Sequence, residues 1–243
     1  MALHQAKASE KLIFAPGGAQ SHGAQAEQFT RGTLARNDLN GESPIPQFNE
    51  WFSFAQESGL KQVEACTLST AELPSGRVSS RVVYLKELDS KGFVIYSNFG
   101  TSRKAADLAT NPHASLNFFW GPLQRQVRVE GTTERNTAEE SQEYYDTRAR
   151  GSKIGAWGSK QSAVLQPTGQ DGDDGRAQLE GWVKEVEDKF EGVDKIPVPD
   201  FWGGLRIVPQ RIEFWQGRES RLHDRFVYDL QQDGKWKLER LSP

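Results

Sequence analysis

Cysteine is almost absent from this sequence of 243 residues, in which Cys66 is the single thiol. One cysteine can form neither an intrachain disulfide nor a thiolate metal cluster, so a reducing compartment is the simplest interpretation. Histidine is also scarce, with 4 residues, and His4 and His22 lie close to the N-terminus. A four-ligand site of histidines and cysteines is therefore not expected, and we predict no bound metal.

Long apolar runs are missing as well. The N-terminal stretch MALHQAKASEKLIFAPGGAQSHG contains no apolar segment of the length that a signal peptide or a membrane span needs. We interpret residues 1–40 as a flexible N-terminal arm. A cytoplasmic protein without a membrane partner is the expectation, and a mitochondrial location stays open.

An excess of positive charge is absent too. The chain has 30 Lys and Arg residues against 33 Asp and Glu residues, which gives a net charge of -3 at pH 7. Because nucleic acid needs a continuous basic stripe, no nucleic-acid partner is expected. Familiar catalytic motifs are equally missing: there is no GxxxxGK(S/T), no GxGxxG between a strand and a helix, no HExxH and no GxSxG.

Apolar residues with a period of two predict a series of β-strands. Short turns join the first three, VEACTLS, VSSRVVYLKEL and GFVIYS, into two consecutive hairpins. The series continues with ASLNFFW, RQVRVEGTTER, GGLRIVP, RIEFWQ and the pair DRFVYDL and KWKLERL. From these nine segments we expect about seven or eight mostly antiparallel strands, and closing them into a barrel would remove the sheet edges.

Helical periodicity predicts three or four short helices between these strands. They comprise a core-facing helix over PQFNEWFSFAQ, one from Arg103 to Thr110, one that opens at the capping box Thr137–Glu140 and runs through Arg148, and one along Leu179–Phe190. The Gly- and Asp-rich stretch 166–178 is predicted to be a surface loop inserted between two helical pieces. Residues 41–243 are expected to form one domain of the α+β class, mainly antiparallel β, because regular strand–helix alternation is absent.

Cations beside apolar segments are the first candidate site residues. Arg81 and Lys86 flank an otherwise apolar strand, although side chains that snorkel at a barrel end would give the same pattern. Arg103 and Lys104 open a predicted helix, where backbone N–H groups favour a phosphate; an ordinary solvated first turn is the alternative. None of these patterns alone specifies a ligand.

The stretch SRLHDRFVYDL, residues 220–230, sets two arginines and a histidine around an aspartate directly before a predicted strand. A solvated turn would explain this composition. A catalytic rim that handles an anionic substrate would explain it equally well, and the residues alone leave both interpretations open.

Five stretches resemble the pyridoxine/pyridoxamine 5'-phosphate oxidase family, and the likeness runs from about Phe48 to Pro243. They are SSRVVYLKELDSKGFVIYSNFGTSRKA, LQRQVRVEG, RARGSKIGAWGSKQS, FWGGLRIVPQRIEFWQGRESRLHDRF and WKLERLSP. Eukaryotic members look most similar, notably in AELPSGRVSSR and NFGTSRKA. The resemblance implies an FMN-binding split β-barrel that forms a homodimer, with FMN held at the subunit interface.

The matching motifs also imply site residues. FMN contacts fall on Arg81, Val82, Val83, Lys86, Tyr96, Ser97, Arg103, Lys104, Gln126, Gln161, Ser162, Trp202 and Arg225. The resemblance implies that the substrate phosphate is bound by Lys86, Tyr144, Arg148 and Ser152, although Tyr144 could instead be a core aromatic. Tyr144 and Arg148 lie four positions apart on a predicted helix and are expected to face one site. Arg221 and His223 are the implied catalytic pair beside the reacting carbon.

The implied reaction oxidises pyridoxamine or pyridoxine 5'-phosphate to pyridoxal 5'-phosphate by hydride transfer to FMN, which O2 reoxidises with release of H2O2. A phenazine-pathway flavin oxidase on the same fold and a non-catalytic module that binds flavin or pyridoxal phosphate are the alternatives. One departure concerns the arm, where many bacterial members carry Arg-x-x-Tyr and this sequence has Ala26 and Phe29. The arm lacks the arginine charge and the tyrosine hydroxyl, which leaves its role as a lid open.

Overall fold

The computed structural model describes residues 28–169 and 171–243. Most of the predicted arm, including Ala26, lies outside the described residues. Its last part packs on the barrel through Leu34 and Leu39, which are 4% and 8% exposed. The Leu34 N–H also donates to the buried carboxylate of Asp224 at 3.0 Å. The boundary at residue 40 stays a prediction, but the residues directly before it are docked rather than free.

Eight strands form one antiparallel sheet, which confirms the predicted strand number. They are β1 Ala65–Ala71, β2 Val78–Leu88, β3 Phe93–Asn98, β4 His113–Trp120, β5 Arg125–Arg135, β6 Trp202–Gln216, β7 Asp224–Leu230 and β8 Trp236–Leu241. The strand order is β3-β2-β1-β4-β5-β6-β7-β8, and β3 also pairs with β6. That additional pairing closes β1 to β6 into the predicted barrel and leaves β7 and β8 as an extension of β6.

Strand β6 corrects one prediction, since the segments predicted as two strands are one. Its first half pairs with β3 and its second half with β7, while β5 pairs along both. The register between β5 and β6 shifts at Glu130/Gly131, next to Pro209. A side chain at Gly131 would place its Cβ only 2.0 Å from the Val208 carbonyl oxygen. The extra residue of the bulge is Gln210 in β6, Gly131 leaves room opposite Pro209, and the strand continues through it.

The first helix, α1 Pro44–Glu57, packs its apolar side against the barrel interior. It begins where the Ser43 hydroxyl accepts a hydrogen bond from the Ile45 N–H, with a proline in the first turn. Phe48 is fully buried, and its ring lies 4.9 Å from the rings of Phe93 and Phe118, centroid to centroid. Truncating such a core aromatic to alanine typically costs about 3–5 kcal/mol.

Four more helices follow: α2 Arg103–Thr110, α3 Ala138–Asp146, α4 Arg150–Gly158 and α5 Arg176–Lys189. The capping box that opens α3 is present, but the helix ends at Asp146 rather than running through Arg148. Arg148 therefore lies in the turn between α3 and α4, which corrects its predicted place on the helix. Among the described helices, none combines the length and the apolar character of a membrane span.

The loop predicted at 166–178 is a surface segment whose last residues already belong to α5. Its conformation is organised by Asp173, whose carboxylate accepts hydrogen bonds from the backbone N–H and hydroxyl of Thr168 and from Gly175 N–H. These bonds lower the pKa of Asp173 to about 2. The Gly/Asp composition thus supplies turn geometry and an acceptor for backbone donors.

Candidate active site

One cavity of about 270 Å³ opens beside β2, β3 and the start of α2, and we call it the cation pocket. It is lined by Arg81, Val82, Val83, Tyr84, Lys86, Tyr96, Ser97, Lys104, Tyr144, Arg148, Gln161 and Trp202. An adjoining cavity of about 360 Å³ shares several of these residues and adds Ser152. The structure therefore brings most of the predicted FMN contacts together with the four predicted substrate-phosphate residues.

Lys104 is the most buried cation of the pocket, with 4% of its surface exposed. Its ammonium donates to Gln161 Oε1 at 2.7 Å, and the Asn98 carbonyl oxygen lies at 3.4 Å. Burial, and to a smaller extent the charge of Arg81, lowers the pKa of Lys104 to about 8. A bound anion would favour the charged lysine, so the site is built for a ligand with negative charge.

Arg103 and Ser162 line neither cavity, but each is the chain neighbour of a lining residue, Lys104 and Gln161 respectively. The backbone N–H of Arg103 is 3.4 Å from the Ser162 hydroxyl oxygen. Its guanidinium donates to Glu72 Oε2 at 3.0 Å, and its Nε forms an ion pair with Asp107 Oδ1 at 2.9 Å. Both residues are thus placed beside the N-terminus of α2, where helix N–H groups also favour an anion.

An aromatic stack forms one wall of the pocket. The rings of Tyr96 and Tyr144 are stacked with their centroids 3.8 Å apart, and Trp202 continues the stack at 5.6 Å from Tyr96. The Arg148 guanidinium lies 4.5 Å from the Trp202 ring. Arg148 Nη1 is buried and has no hydrogen-bond partner. A buried guanidinium donor without a partner costs free energy unless a ligand accepts from it, which points to an oxyanion at this place.

The remaining predicted residues form a second group, which we call the Arg/His rim: Gln126, Arg221, His223 and Arg225, together with Trp215. Gln126 pairs with Trp215 across β5 and β6, and Trp215 pairs with Arg225 across β6 and β7. The His223 ring lies 4.6 Å from that of Trp215. Neither of the two cavities above is lined by a rim residue. Within one chain, the predicted site residues thus fall into two separate groups.

His223 is held in one tautomer. Its Nδ1 accepts a hydrogen bond from the backbone N–H of Arg218 at 3.1 Å, so in the neutral ring the proton resides on Nε2. Burial, followed by the charges of Arg221 and Arg225, lowers the pKa of His223. At neutral pH the imidazole is therefore uncharged, with its Nε2–H available as a donor and its Nδ1 lone pair already engaged.

The turn that carries the rim has an unusual backbone. Ser220 and Arg221 have φ values of 54° and 63°, in the left-handed region. Such conformations in non-glycine residues cost free energy and persist where the surroundings impose them, often at functional sites. The Ser220 N–H donates to Gln28 Oε1 at 2.6 Å, so the end of the arm helps to hold this left-handed conformation.

Phe29 of the arm covers the rim. Its ring lies 5.6 Å from that of Trp215 and 5.7 Å from that of His223. A Cβ at Gly217 would come within 2.7 Å of Phe29, so glycine is needed for this approach. Phenylalanine therefore shields the histidine even without the tyrosine hydroxyl of the bacterial pattern.

Comparison with known proteins places this geometry in a family. The model of the family described as pyridoxamine 5'-phosphate oxidase matches residues 54–189, and one described as the pyridoxine 5'-phosphate oxidase C-terminal dimerisation region matches residues 202–243. The chain belongs to the pyridoxamine 5'-phosphate oxidase family. Because the second match is a dimerisation region, a homodimer is supported for this family member.

Two curated fungal relatives of the family span almost the whole chain. A probable pyridoxamine 5'-phosphate oxidase of Schizosaccharomyces pombe is 52% identical over 239 residues, 96% of each chain. The pyridoxamine 5'-phosphate oxidase of Saccharomyces cerevisiae is 50% identical over 242 residues, 98% of this chain and 99% of the relative.

A solved structure of PhzG from Burkholderia lata, in complex with tetrahydrophenazine-1-carboxylic acid, has a TM-score of 0.75 and 27% identity, covering 87% of this chain and 98% of its own. The split-barrel fold predicted for the family is confirmed by this similarity.

Three buried or rim residues were missed by the sequence reasoning: Asp107, Glu213 and Trp215. Alternation along RIEFWQ places Glu213 and Trp215 on one face of β6, so the sequence pattern could have predicted that they lie together. Asp107 lies four positions after Arg103, which is the spacing of an ion pair on a helix. The burial of Asp107 and its hydrogen bonds to Thr70 and Ser79 could not be predicted from the sequence.

Proposed function

We propose that this protein is an FMN-dependent oxidase that converts pyridoxamine 5'-phosphate and pyridoxine 5'-phosphate to pyridoxal 5'-phosphate, with O2 as the electron acceptor. Family membership and the names of relatives about half identical over nearly the full chain support the substrates. The observation that carries the proposal is Arg148 Nη1, buried without a partner in a pocket that also contains Lys86 and Tyr144. A substrate phosphate fits that donor set.

FMN fits the other cations of the pocket. Arg81, Arg103 and Lys104 lie around the start of α2, where a terminal phosphate would neutralise them. When bound, FMN supplies the acceptor for the hydride and the route by which electrons reach O2. The chain's own contribution is to bind and orient, and no covalent nucleophile is required of it.

A homodimer would unite the two groups of site residues. On the face of the sheet between them, Val82, Tyr84 and Phe119 are 67%, 43% and 57% exposed. Phe119 pairs with Gln126 of the rim across β4 and β5. Large apolar side chains exposed together mark an association surface. We infer that this face lies in the subunit interface, that FMN lies there too, and that the rim of one protomer completes the pocket of its partner.

In the assembled site, Arg221 is assigned to orient the amine or alcohol of the substrate. His223 donates through Nε2 to the substrate ring, because its Nδ1 is already occupied by the Arg218 N–H. Phe29 excludes water from the histidine, which strengthens these polar contacts. Chemistry of this kind requires no covalent nucleophile from the chain, because the substrate is positioned against a bound flavin.

The test is an anaerobic titration of the flavin-loaded protein with pyridoxine 5'-phosphate while the visible flavin band is recorded. We expect the band to bleach, and to return on admission of air with stoichiometric H2O2. Unphosphorylated pyridoxine is the matched control and should bleach far more slowly, since it lacks the group that Arg148 binds. A band that persists with both the amine and the alcohol phosphate would contradict the proposal.

Two alternatives have distinct outcomes in the same assay. Bleaching by a reduced phenazine carboxylate but not by the vitamin phosphate would indicate an oxidase of the kind to which the PhzG structure belongs. Binding of flavin without bleaching by any of these compounds would indicate a binding module. The unpartnered Arg148 donor in the pocket that also contains Lys86 and Tyr144 supports the vitamin phosphate over both.

A further inference from the structure

Asp107 is a fully buried carboxylate behind the cation pocket, on α2, and it is 0% exposed. Its Oδ2 accepts hydrogen bonds from the hydroxyls of Thr70 and Ser79, both at 2.6 Å. Its Oδ1 lies 2.9 Å from Arg103 Nε, and Oδ2 lies 3.9 Å from Arg81 Nη2. One carboxylate thus connects two strands, a helix and two of the cations that the proposed function assigns to FMN.

The charge of Asp107 fixes the direction of the hydrogen bonds around it. An ionised carboxylate only accepts, so Thr70 and Ser79 must each use their single proton to donate to it. Their lone pairs then accept from Arg81, whose Nη1 reaches Thr70 Oγ1 at 2.8 Å and whose Nη2 reaches Ser79 Oγ at 2.6 Å. Arg81 is held through two hydroxyls whose orientation Asp107 dictates.

Asp107 remains ionised in the folded chain. Burial by itself would raise the pKa of Asp107, but hydrogen bonds from Ser79 and Thr70 and the charges of Arg103 and Arg81 outweigh burial, and the pKa is lowered. The arrangement of donors and acceptors therefore persists throughout the neutral pH range.

Both arginines keep donors for a ligand in this arrangement. Arg81 donates three hydrogen bonds, to the Thr70 and Ser79 hydroxyls and to the Leu68 carbonyl oxygen. Arg103 turns its Nε edge to Asp107 and one Nη2–H to Glu72. A guanidinium has five donors in a rigid fork, so fixing one edge also fixes the direction of the others.

We propose that Asp107, acting through Thr70 and Ser79, is a positioning residue that aligns Arg81 and Arg103 for the terminal phosphate of the flavin and so selects FMN over unphosphorylated riboflavin. This inference rests on the proposed FMN site. Asp107 does not touch the cofactor in this assignment, and it repels the phosphate directly. Its benefit comes from the alignment of two arginines, which a neutral residue would leave free to point elsewhere.

A purely structural role makes a different prediction. The ion pair of Asp89 and Arg206 serves as the structural control. Asp89 lies in the β2–β3 turn, and its Oδ2 accepts a hydrogen bond at 2.5 Å from Arg206 of β6, which is 8% exposed. Neither residue lines the cation pocket. Removing either carboxylate will lower the melting temperature, but only Asp107 should change the ratio of the two flavin affinities.

The experiment titrates the full-length chain, freed of flavin, with FMN and separately with riboflavin, and follows quenching of flavin fluorescence. Wild type, Asp107→Asn and Asp89→Asn are compared. We expect Asp107→Asn to weaken FMN about ten- to hundredfold, the range for losing one charge-assisted contact, and riboflavin less than about threefold. Asp89→Asn should leave the ratio of the two dissociation constants at the wild-type value.

The outcomes separate this inference from the function on which it rests. A wild type that prefers FMN, with an Asp107→Asn variant that retains the full preference or loses both flavins equally, would overturn the positioning role and leave the FMN site standing. A wild type without preference would remove the phosphate site and the role of Asp107 together. If Asp107→Asn does not fold, Thr70→Val keeps the carboxylate and removes one hydroxyl, and an unchanged preference there would overturn the inference.

Discussion

The cation pocket and the Arg/His rim both hold arginines against buried carboxylates, yet the pocket also contains cations that no carboxylate of the described residues neutralises. Beside the rim, Glu213 is 2% exposed, accepts from Arg225 Nε at 2.7 Å and lies 3.0 Å from Arg128 Nη2. In the pocket, Arg148 Nη1 has no partner, and the ammonium of Lys104 contacts only neutral oxygens among the described residues. The rim arginine is matched by an anion of its own chain, whereas these pocket cations are not.

The pKa shifts separate the two regions in the same way. The hydrogen bond that Arg225 donates to Glu213 raises the pKa of Arg225, and burial lowers the pKa of Lys104 to about 8. The charge of Arg225 is already stabilised by a carboxylate of its own chain, so its side chain is held in place before any ligand binds. The charge of Lys104 is destabilised by burial, so a bound anion would stabilise it. We therefore expect substitution of the rim arginine and histidine assigned to the reacting carbon to change kcat, and substitution of the pocket cations to change affinity.

Arg221→Ala is the rim substitution with the largest expected effect. Loss of the group that orients the reacting amine or alcohol should lower kcat about a hundredfold, with KM changed much less. The measurement is steady-state turnover of the flavin-loaded variant. Arg211→Ala is the matched control, because Arg211 also lies beside β7 but pairs with Asp229 at 2.6 Å. An unchanged kcat in Arg221→Ala would show that the rim does not act on the reacting carbon.

Arg148→Gln is the corresponding pocket substitution. Losing a charged donor to the substrate phosphate should raise KM about ten- to hundredfold while kcat at saturation falls less. Arg150→Gln is the control two positions later, at the start of α4, since Arg150 donates to the Phe190 and Val193 carbonyls rather than into the pocket. It should lower the melting temperature and leave KM unchanged. Equal rises of KM in both variants would mean that the turn, not the Arg148 charge, sets affinity.

Local patterns were sufficient for most of the barrel but not for β6. The bounds of β2, β4 and α2 follow from alternation, turn residues and a helix start, which are all features of neighbouring residues. Pro209 looked like a strand break, because the glycine that accommodates it, Gly131, lies in β5 and is brought opposite only by the fold. The end of α3 before Arg148 is instead marked by local bonds, since the Thr147 hydroxyl donates to the Tyr144 carbonyl oxygen at 2.7 Å.

The same limit explains which site residues could be predicted. Motif matching located the pocket cations and the Arg/His pair, since those residues recur in a known order. Asp107 binds hydroxyls 37 and 28 positions away in the chain, so its role depends on the folded barrel. The separation of pocket and rim also appears only in three dimensions, because their motifs alternate along the sequence.

The pH dependence of FMN binding should sharpen the comparison further. In the unliganded chain Lys104 loses its proton near pH 8, whereas a phosphate favours the charged form and raises its pKa. FMN affinity should therefore be constant below pH 8 and fall by up to about tenfold per pH unit above it. Fluorescence titrations from pH 6.5 to about 9.5 test this slope. Lys104→Met should remove the slope together with much of the affinity, and riboflavin should show none; a riboflavin slope like that of FMN would contradict the assignment.

Phe29→Ala should have the smallest effect and affect the rim alone. The ring shields His223 and Trp215 without donating a hydrogen bond, so its loss should raise KM about two- to fivefold through added water at the rim, at little cost to FMN affinity. Phe29→Tyr is the matched control, because it keeps the ring and restores the hydroxyl of the bacterial pattern; its KM should stay near wild type. If Phe29→Ala instead lowered FMN affinity and left KM unchanged, the arm would act on the pocket rather than on the rim. The proposed separation of function between the two regions would then be wrong for Phe29.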